Sequence, residues 1–274
     1  MGIIETVERA LANSGADVSS IGRSVCGNEI LCAHCGDYSG KQIIITAAIH
    51  ARECYTSLVV LKQISAFSAA NGGAYFIPLV NPDGAAFFES GATFGKRFLS
   101  ENAHKNKLWK ANADGVDLNC NFDANFGTGA QQSRLAPAAH GYIGQYPLCA
   151  PESKALCDFT LSVMPAATVS YHCMGGELYW QFFQDEKRKR RDSLFAERIA
   201  DYIGVKKVDG ELSSAGGYKD YCVQSLKIPA VTVELIKSGN HPFAPSDFNE
   251  DVQKNAHLPE FILNYLYGDM YTYE

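Results

Sequence analysis

Hydrophobic residues along this chain gather into short, β-branched runs that stop abruptly at polar residues. Residues 43–49 lead directly into His50, residues 74–80 into Asn81-Pro82-Asp83-Gly84, residues 167–171 into His172 and residues 230–233 into Glu234. Runs that are apolar at nearly every position predict strands covered on both faces. Between them the spacing changes to a helical period over residues 55–70, 152–163 and 191–203. Strands alternating with helices predict an α/β sheet, largely parallel. Residues 21–26 and 30–34, joined through Gly27-Asn28, predict an antiparallel hairpin at the sheet edge. Residues 1–15 read as an amphipathic helix, and residues 90–151 carry little periodic signal and are rich in Gly, Asn and Ala. A long irregular stretch of that kind in an α/β chain is expected to line a binding cleft. No Pro/Ser-rich linker or internal repeat divides the sequence, so one domain over residues 1–274 is expected.

Composition narrows the picture. The 274 residues are 46% hydrophobic, ample for a full core and incompatible with disorder. A net charge of -6 argues against a nucleic-acid partner, because phosphate binding needs clustered positive charge. No apolar run is long enough to span a bilayer, and the N-terminal residues lack the basic start and apolar centre of a secretory signal. The nine cysteines are odd in number and follow no framework spacing, so free thiols in a reducing, cytoplasmic setting are expected.

The polar residues at the strand ends carry the chemistry. In open α/β sheets ligands bind beyond the carboxyl ends of the strands, where His50, Asn81, His172 and Glu234 are all predicted to fall. His50-Ala51-Arg52-Glu53 offers an imidazole and a carboxylate three positions apart, and His172 offers a second imidazole at a neighbouring strand end. Two nitrogens and one oxygen suit a zinc ion that keeps one position open. Glu234, at the end of a Val/Thr strand, is placed for partial desolvation, which raises a carboxyl towards the range useful for a general base. Two other clusters are less persuasive. Cys32 and Cys35 sit three apart on a strand and face opposite sides, so they share no ion readily. Lys187-Arg188-Lys189-Arg190-Arg191 is flanked by Asp185, Glu186 and Asp192 and reads as a solvated helix face. His104, His140, His241 and His257 are read as surface or loop histidines.

Five segments in order resemble the zinc carboxypeptidase family of metallopeptidases. They are His50-Ala51-Arg52-Glu53, Ile77-Pro78-Leu79-Val80-Asn81-Pro82-Asp83-Gly84, Trp109-Lys110-Ala111-Asn112 with Gly115-Val116-Asp117-Leu118-Asn119, Ser170-Tyr171-His172, and Thr232-Val233-Glu234-Leu235. The resemblance covers roughly residues 21–240. It implies a single-domain, twisted, mixed sheet of about eight mostly parallel strands with helices on both faces. It also implies one zinc ion held by His50, Glu53 and His172, with Glu234 as the base, Lys110 where an arginine often steadies the oxyanion, and Arg52 and Asn119 on a substrate carboxylate.

Two departures bear on substrate. Where the family has an arginine that grips a terminal carboxylate, this chain has Cys120, which cannot make a bidentate ion pair. The family's substrate-capping tyrosine has no clear counterpart; a gapless reading puts Leu212 there, with Tyr218 close by. Lys110, Glu177-Leu178-Tyr179-Trp180 and Gly216-Gly217-Tyr218-Lys219-Asp220 resemble the bacterial branch that cuts γ-D-glutamyl–diaminopimelate bonds in cell-wall peptides. That branch implies a small peptide substrate met by Arg52, Asn119, Arg134, Tyr218 and Asp220 around Cys120. The alternatives are a conventional C-terminal carboxypeptidase with Arg134 or Lys219 replacing the missing arginine, a non-catalytic zinc-binding relative, and a small-molecule deacylase.

Overall fold

Eight strands form one sheet in the order β1-β2-β4-β3-β5-β8-β6-β7 in the computed structural model, which describes residues 2–210 and 214–268. The strands are β1 (Asp17–Arg23), β2 (Glu29–Gly36), β3 (Gln42–Ala47), β4 (Gly73–Ile77), β5 (Ala167–Cys173), β6 (Glu177–Tyr179), β7 (Lys206–Val208) and β8 (Ala230–Leu235). The helices are α1 (Ile3–Ala12), α2 (Ser57–Ala66), α3 (Pro82–Ser90), α4 (Arg97–Glu101), α5 (Pro151–Val163), α6 (Glu186–Ile203), α7 (Tyr218–Gln224), α8 (Asn249–Lys254) and α9 (Leu258–Gly268). The central strands β4, β3, β5 and β8 run parallel. The β1–β2 hairpin joins β4 antiparallel at one edge, and β6 joins β8 antiparallel at the other. The hairpin has a register irregularity between Ser20 and Gly22, and β7 is a three-residue edge strand with two lysines.

Alternation along the strands divides the core in two. Ile43, Ile45, Phe76, Val169, Val231 and Val233 pack with Val59 and Val60 of α2, Phe195 and Ile199 of α6, and Ile262 and Leu266 of α9. Ile30 and Ile44 face the other way, onto Leu156 of α5 and Cys222 of α7. Both faces are therefore sealed, as the near-continuous apolar runs require. All nine cysteines are free.

The long segment between α3 and α5 is irregular apart from α4 and two 3-10 turns. It is tied down by buried polar side chains. Asn81 caps α3 by accepting from Gly84 N–H and donates through Nδ2 to the carbonyls of Ile49 and Ala111. Asp83 holds the hairpin turn, accepting from Ser24, Asn28 and the Cys26 backbone at 2.6–2.7 Å. Glu152, fully buried in the first turn of α5, accepts from Asn112 and from the Val25 N–H.

The structure differs from the sequence expectation in two respects. β5 and β8 extend through His172 and Glu234, so these residues lie within paired strands rather than after them. β6 and β7 have only three residues each, too short for a period to register.

Burial pushes the Glu152 carboxyl up to about 7, despite the hydrogen bonds from Asn112 and Val25 that favour its charged form. A folded-state value above the unfolded one means that this group stabilises the fold at low pH and loses that contribution as pH rises towards 7. Glu152→Gln should remove the slope. The stability difference between variant and wild type, followed by urea unfolding, is expected to move in the variant's favour by up to about 3 kcal/mol between pH 4.5 and 8.

Candidate active site

β3 ends at Ala47, and Ala48 then takes a left-handed conformation, φ 56°, that turns the chain across the sheet top. An L-residue there costs about 1–2 kcal/mol and persists only when its surroundings dictate it. Here the Ala48 N–H donates to Thr56 Oγ1 and its carbonyl accepts from Asn81. His50 then opens the 3-10 turn Ala51–Thr56, which carries Glu53. The turn is hung on the long loop: Ala51 N–H donates to the Lys110 carbonyl and Arg52 N–H to that of Trp109. Trp109 is fully buried, so this anchor cannot drift.

The three expected ligands converge. His50 Nδ1 lies 2.9 Å from Glu53 Oε1, His172 Nδ1 lies 3.1 Å from Glu53 Oε2, and the two Nδ1 atoms are 3.2 Å apart. All three residues are buried, and they form the one such ligand group among the described residues. Atoms about 2 Å from a single ion at tetrahedral angles sit about 3.3 Å from one another, which is the spacing seen. Two imidazole nitrogens and a carboxylate converging on one point offer their lone pairs to a cation between them. The donor set fits zinc.

The other ring nitrogen of His50, Nε2, lies 3.4 Å from Asp117 Oδ1, while Asp117 Oδ2 accepts from Gly141 N–H. A carboxylate behind a ligating imidazole fixes its tautomer and raises its basicity. Asp117 stood inside a matched segment of the sequence, but its task shows only in the structure. Although burial opposes ionisation, the neighbouring Lys110 charge and His50 hold the Asp117 carboxyl well below the usual carboxylate range. Glu53 is also buried and also held low, by His50 and His172.

Glu234, on β8, is the register partner of His172 on β5 and of Glu177 on β6. Burial pushes its carboxyl up to about 7; His172 and Lys110 pull down, Glu53 and Glu177 push up. Lys110 makes no hydrogen bond or ion pair through its ammonium among the described residues, and the negative charges of Asp117 and Glu53 keep it protonated against the cost of burial. Arg52 is half-buried, with Nε unpartnered. His241, read as a surface or loop histidine, lies in a loop and is half-buried against β5, its Nε2 3.2 Å from the Cys173 carbonyl.

The remaining expected residues divide. Cys120 is buried beside Lys110, Asp117 and Asp220, with a thiol that burial keeps protonated. Its backbone presses on Gly216, whose φ is 77° and where an added Cβ would sit 2.7 Å from the Cys120 carbonyl oxygen, too close for a side chain. Asn119 uses Oδ1 to accept the Tyr218 N–H. Tyr218 does not face a substrate: it is fully buried, its hydroxyl 2.8 Å from Thr160 Oγ1 and its ring on Phe122. Asp220 is not a free carboxylate either, since it caps Gly217 N–H and is paired with the buried Lys219. Lys219 also donates to the Gln181 carbonyl, so it is no ready substitute for an arginine. Arg134 is exposed on the long loop, outside this buried cluster. Leu212 lies outside the described residues. Cys32 is buried and His34 bonds Gln42, so no second metal group forms there among the described residues. In the basic run, Arg188 pairs with Asp185 and Arg191 with Asp192.

A family profile described as zinc carboxypeptidase, peptidase M14, matches residues 5–257. The chain belongs to this family. Among zinc carboxypeptidase relatives, γ-D-glutamyl-L-diamino acid endopeptidase 1 of Lysinibacillus sphaericus is 29% identical over 263 residues, covering 85% of this chain. Murein peptide amidase A of Escherichia coli K12 is 28% identical over 176 residues, covering 61% of this chain. The matches span 64% of the length of either relative. Bovine thrombin-activatable fibrinolysis inhibitor superposes with a TM-score of 0.81 at 18% identity, covering 98% of both chains. The murein-tripeptide amidase of Escherichia coli O157 superposes with a TM-score of 0.64 at 20% identity, covering 91% of this chain and 95% of that one. Identities this low speak for the fold alone. No helix among the described residues is long and apolar enough to cross a membrane.

Metal analysis after purification without chelator should find zinc, and His50→Ala and His172→Ala should each lose most of it. Asp117→Asn keeps the shape but weakens the carboxylate behind His50, and competition with a chromogenic chelator is expected to show zinc affinity lower by about 10–100-fold.

Proposed function

We propose that this chain is a zinc-dependent peptidase that hydrolyses the amide between γ-D-glutamate and diaminopimelate in cell-wall peptides, with one zinc per chain and Glu234 as general base. The observation that carries the hydrolytic reading is the placement of Glu234. Its carboxyl is buried, raised to about 7 and paired in register with a metal-ligating histidine. When bound, zinc acidifies a water and polarises the scissile carbonyl. The Glu234 carboxylate accepts the water's proton and passes it to the leaving amine. Lys110, protonated and without a competing bond, faces the negative charge that develops on the carbonyl oxygen. Arg52 and the free amide nitrogen of Asn119 hold a substrate carboxylate. A reducing, cytoplasmic setting fits the nine free thiols.

The substrate class rests on position 120. Without a guanidinium there, an ordinary C-terminal carboxylate has no bidentate partner, and Lys219 is already neutralised by Asp220. The likeness to a γ-D-glutamyl-L-diamino acid endopeptidase supports the same reading.

Glu234→Gln should retain zinc while turnover falls by at least about a hundredfold, the scale of general-base catalysis; loss of zinc with a normally active remainder would show Glu234 to be a ligand. Zinc's charge pulls the Glu234 carboxyl further down, so kcat/KM should fall with decreasing pH along a limb that lies below about 7. L-Ala-γ-D-Glu-diaminopimelate should be cleaved with little action on hippuryl-phenylalanine, by mass detection of products. Faster cleavage of hippuryl-phenylalanine points instead to a conventional carboxypeptidase. Cys120→Arg should raise that second activity and leave the first unchanged or weaker.

A further inference from the structure

Two buried polar atoms beside the ligand cluster lack partners. Arg52 Nε and His241 Nδ1 make no hydrogen bond among the described residues, to each other or to anything else. Both belong to one neighbourhood. The charges of Arg52, Glu53 and Lys110 all act on His241, and its other nitrogen reaches the carbonyl of Cys173, which follows the ligand His172.

That second contact settles the tautomer. A carbonyl oxygen can only accept, so Nε2 carries the ring proton, and a neutral imidazole is left with a lone pair on Nδ1. Burial and the positive charge of Arg52 keep the ring neutral. Nδ1 is therefore an acceptor without a donor, and Arg52 Nε–H is a donor without an acceptor. Buried polar groups are rarely left so, and at a binding site such atoms await a ligand.

We propose that these two groups read one carbon of the substrate, the α-carbon of the γ-linked glutamyl residue on the acyl side of the scissile bond. Arg52 donates to the α-carboxylate and His241 Nδ1 accepts the α-amide N–H. This rests on the γ-D-glutamyl reading and deepens it. In a γ-linked residue the α-carbon lies away from the scissile carbonyl and carries both a carboxylate and an N–H, matching a donor beside an acceptor. In an α-linked residue the α-carboxyl is consumed in the scissile amide, and Arg52 has no carboxylate to take. The missing carboxylate grip at Cys120 on the leaving side is thus balanced by a recognition pair on the acyl side.

The experiment compares kcat/KM for two substrates with zinc-loaded enzyme. One is L-Ala-γ-D-Glu-diaminopimelate; the other is glutaryl-diaminopimelate, which keeps the chain length and scissile amide but lacks both groups on that carbon. Wild type should prefer the first by about a hundredfold, a site built to hydrogen-bond a group discriminating strongly against its absence. His241→Gln places an amide near Nε2, keeps the reach to Cys173 and empties the Nδ1 position. It should narrow the preference by about tenfold or more, through KM rather than kcat. His241→Asn restores an acceptor near Nδ1 and should restore the preference. Equal loss on both substrates, or loss of zinc in either variant, would show that His241 only props Cys173 and would overturn the inference. Equal wild-type turnover of both substrates overturns the inference and leaves the amidase reading standing. Turnover of neither overturns both together.

Discussion

Parallel pairing of β5 with β8 sets His172 beside Glu234, and the other contacts at the centre are arranged around that pair. Neighbouring residues in register on parallel strands point to the same face, so an imidazole and a carboxyl arrive together without any loop having to be ordered. Glu177 on β6 extends the row. Because the period along a strand is two, a slip of one residue would turn Glu234 into the opposite core. Apolar burial of Val231 and Val233 on one face and Ala230 on the other makes that slip costly, so the forces that build the sheet also align the chemistry.

The other two members of the His50–Glu53–His172 cluster come from a less regular source and need more support. His50 and Glu53 ride on a 3-10 turn entered through a left-handed alanine, and its backbone donors are spent on Trp109 and Lys110 of the long loop. The loop is held in turn by Asn81, Asn112 and Glu152, and Glu152 also reaches the hairpin turn that Asp83 holds. These buried polar groups are satisfied in a chain that runs from the edge hairpin to the ligand turn, a rigid support that lets a cluster of charges sit in a dry site. The cluster is nearly balanced: Glu53, Asp117 and Glu234 face Arg52, Lys110 and the place for a divalent cation.

Much of this is legible in the amino-acid sequence. Apolar runs leading to His50, His172 and Glu234 announced three of the central strands, though not where they end, since β-branched residues on a doubly covered sheet leave an unmistakable trace. Residue chemistry then singled out His50, Glu53 and His172, which the fold brings within 2.9–3.2 Å of one another, and Glu234 beside them. What stayed hidden depended on direction rather than identity. Tyr218 and Asp220 stand in a motif that promised contact with substrate, yet the first turn of α7 aims one into the core and closes the other on Lys219. His241 looked like an ordinary loop histidine because its neighbour, Cys173, is distant in sequence. Asp117 is another case: a carboxylate serving an imidazole that lies far along the chain.

The two margins of the sheet have a consequence for life at high protein concentration. An open strand offers unpaired N–H and C=O groups on which another chain can build, the first step towards aggregation. On one side the outermost strand is interrupted at Ser20–Gly22, so a straight incoming strand cannot match its ladder. On the other, the outermost strand is three residues long and carries Lys206, whose side chain is 74% exposed. Addition there would bring like charges together with little backbone pairing in return. A sheet open along its top thus offers a poor template for strand addition at both of its sides.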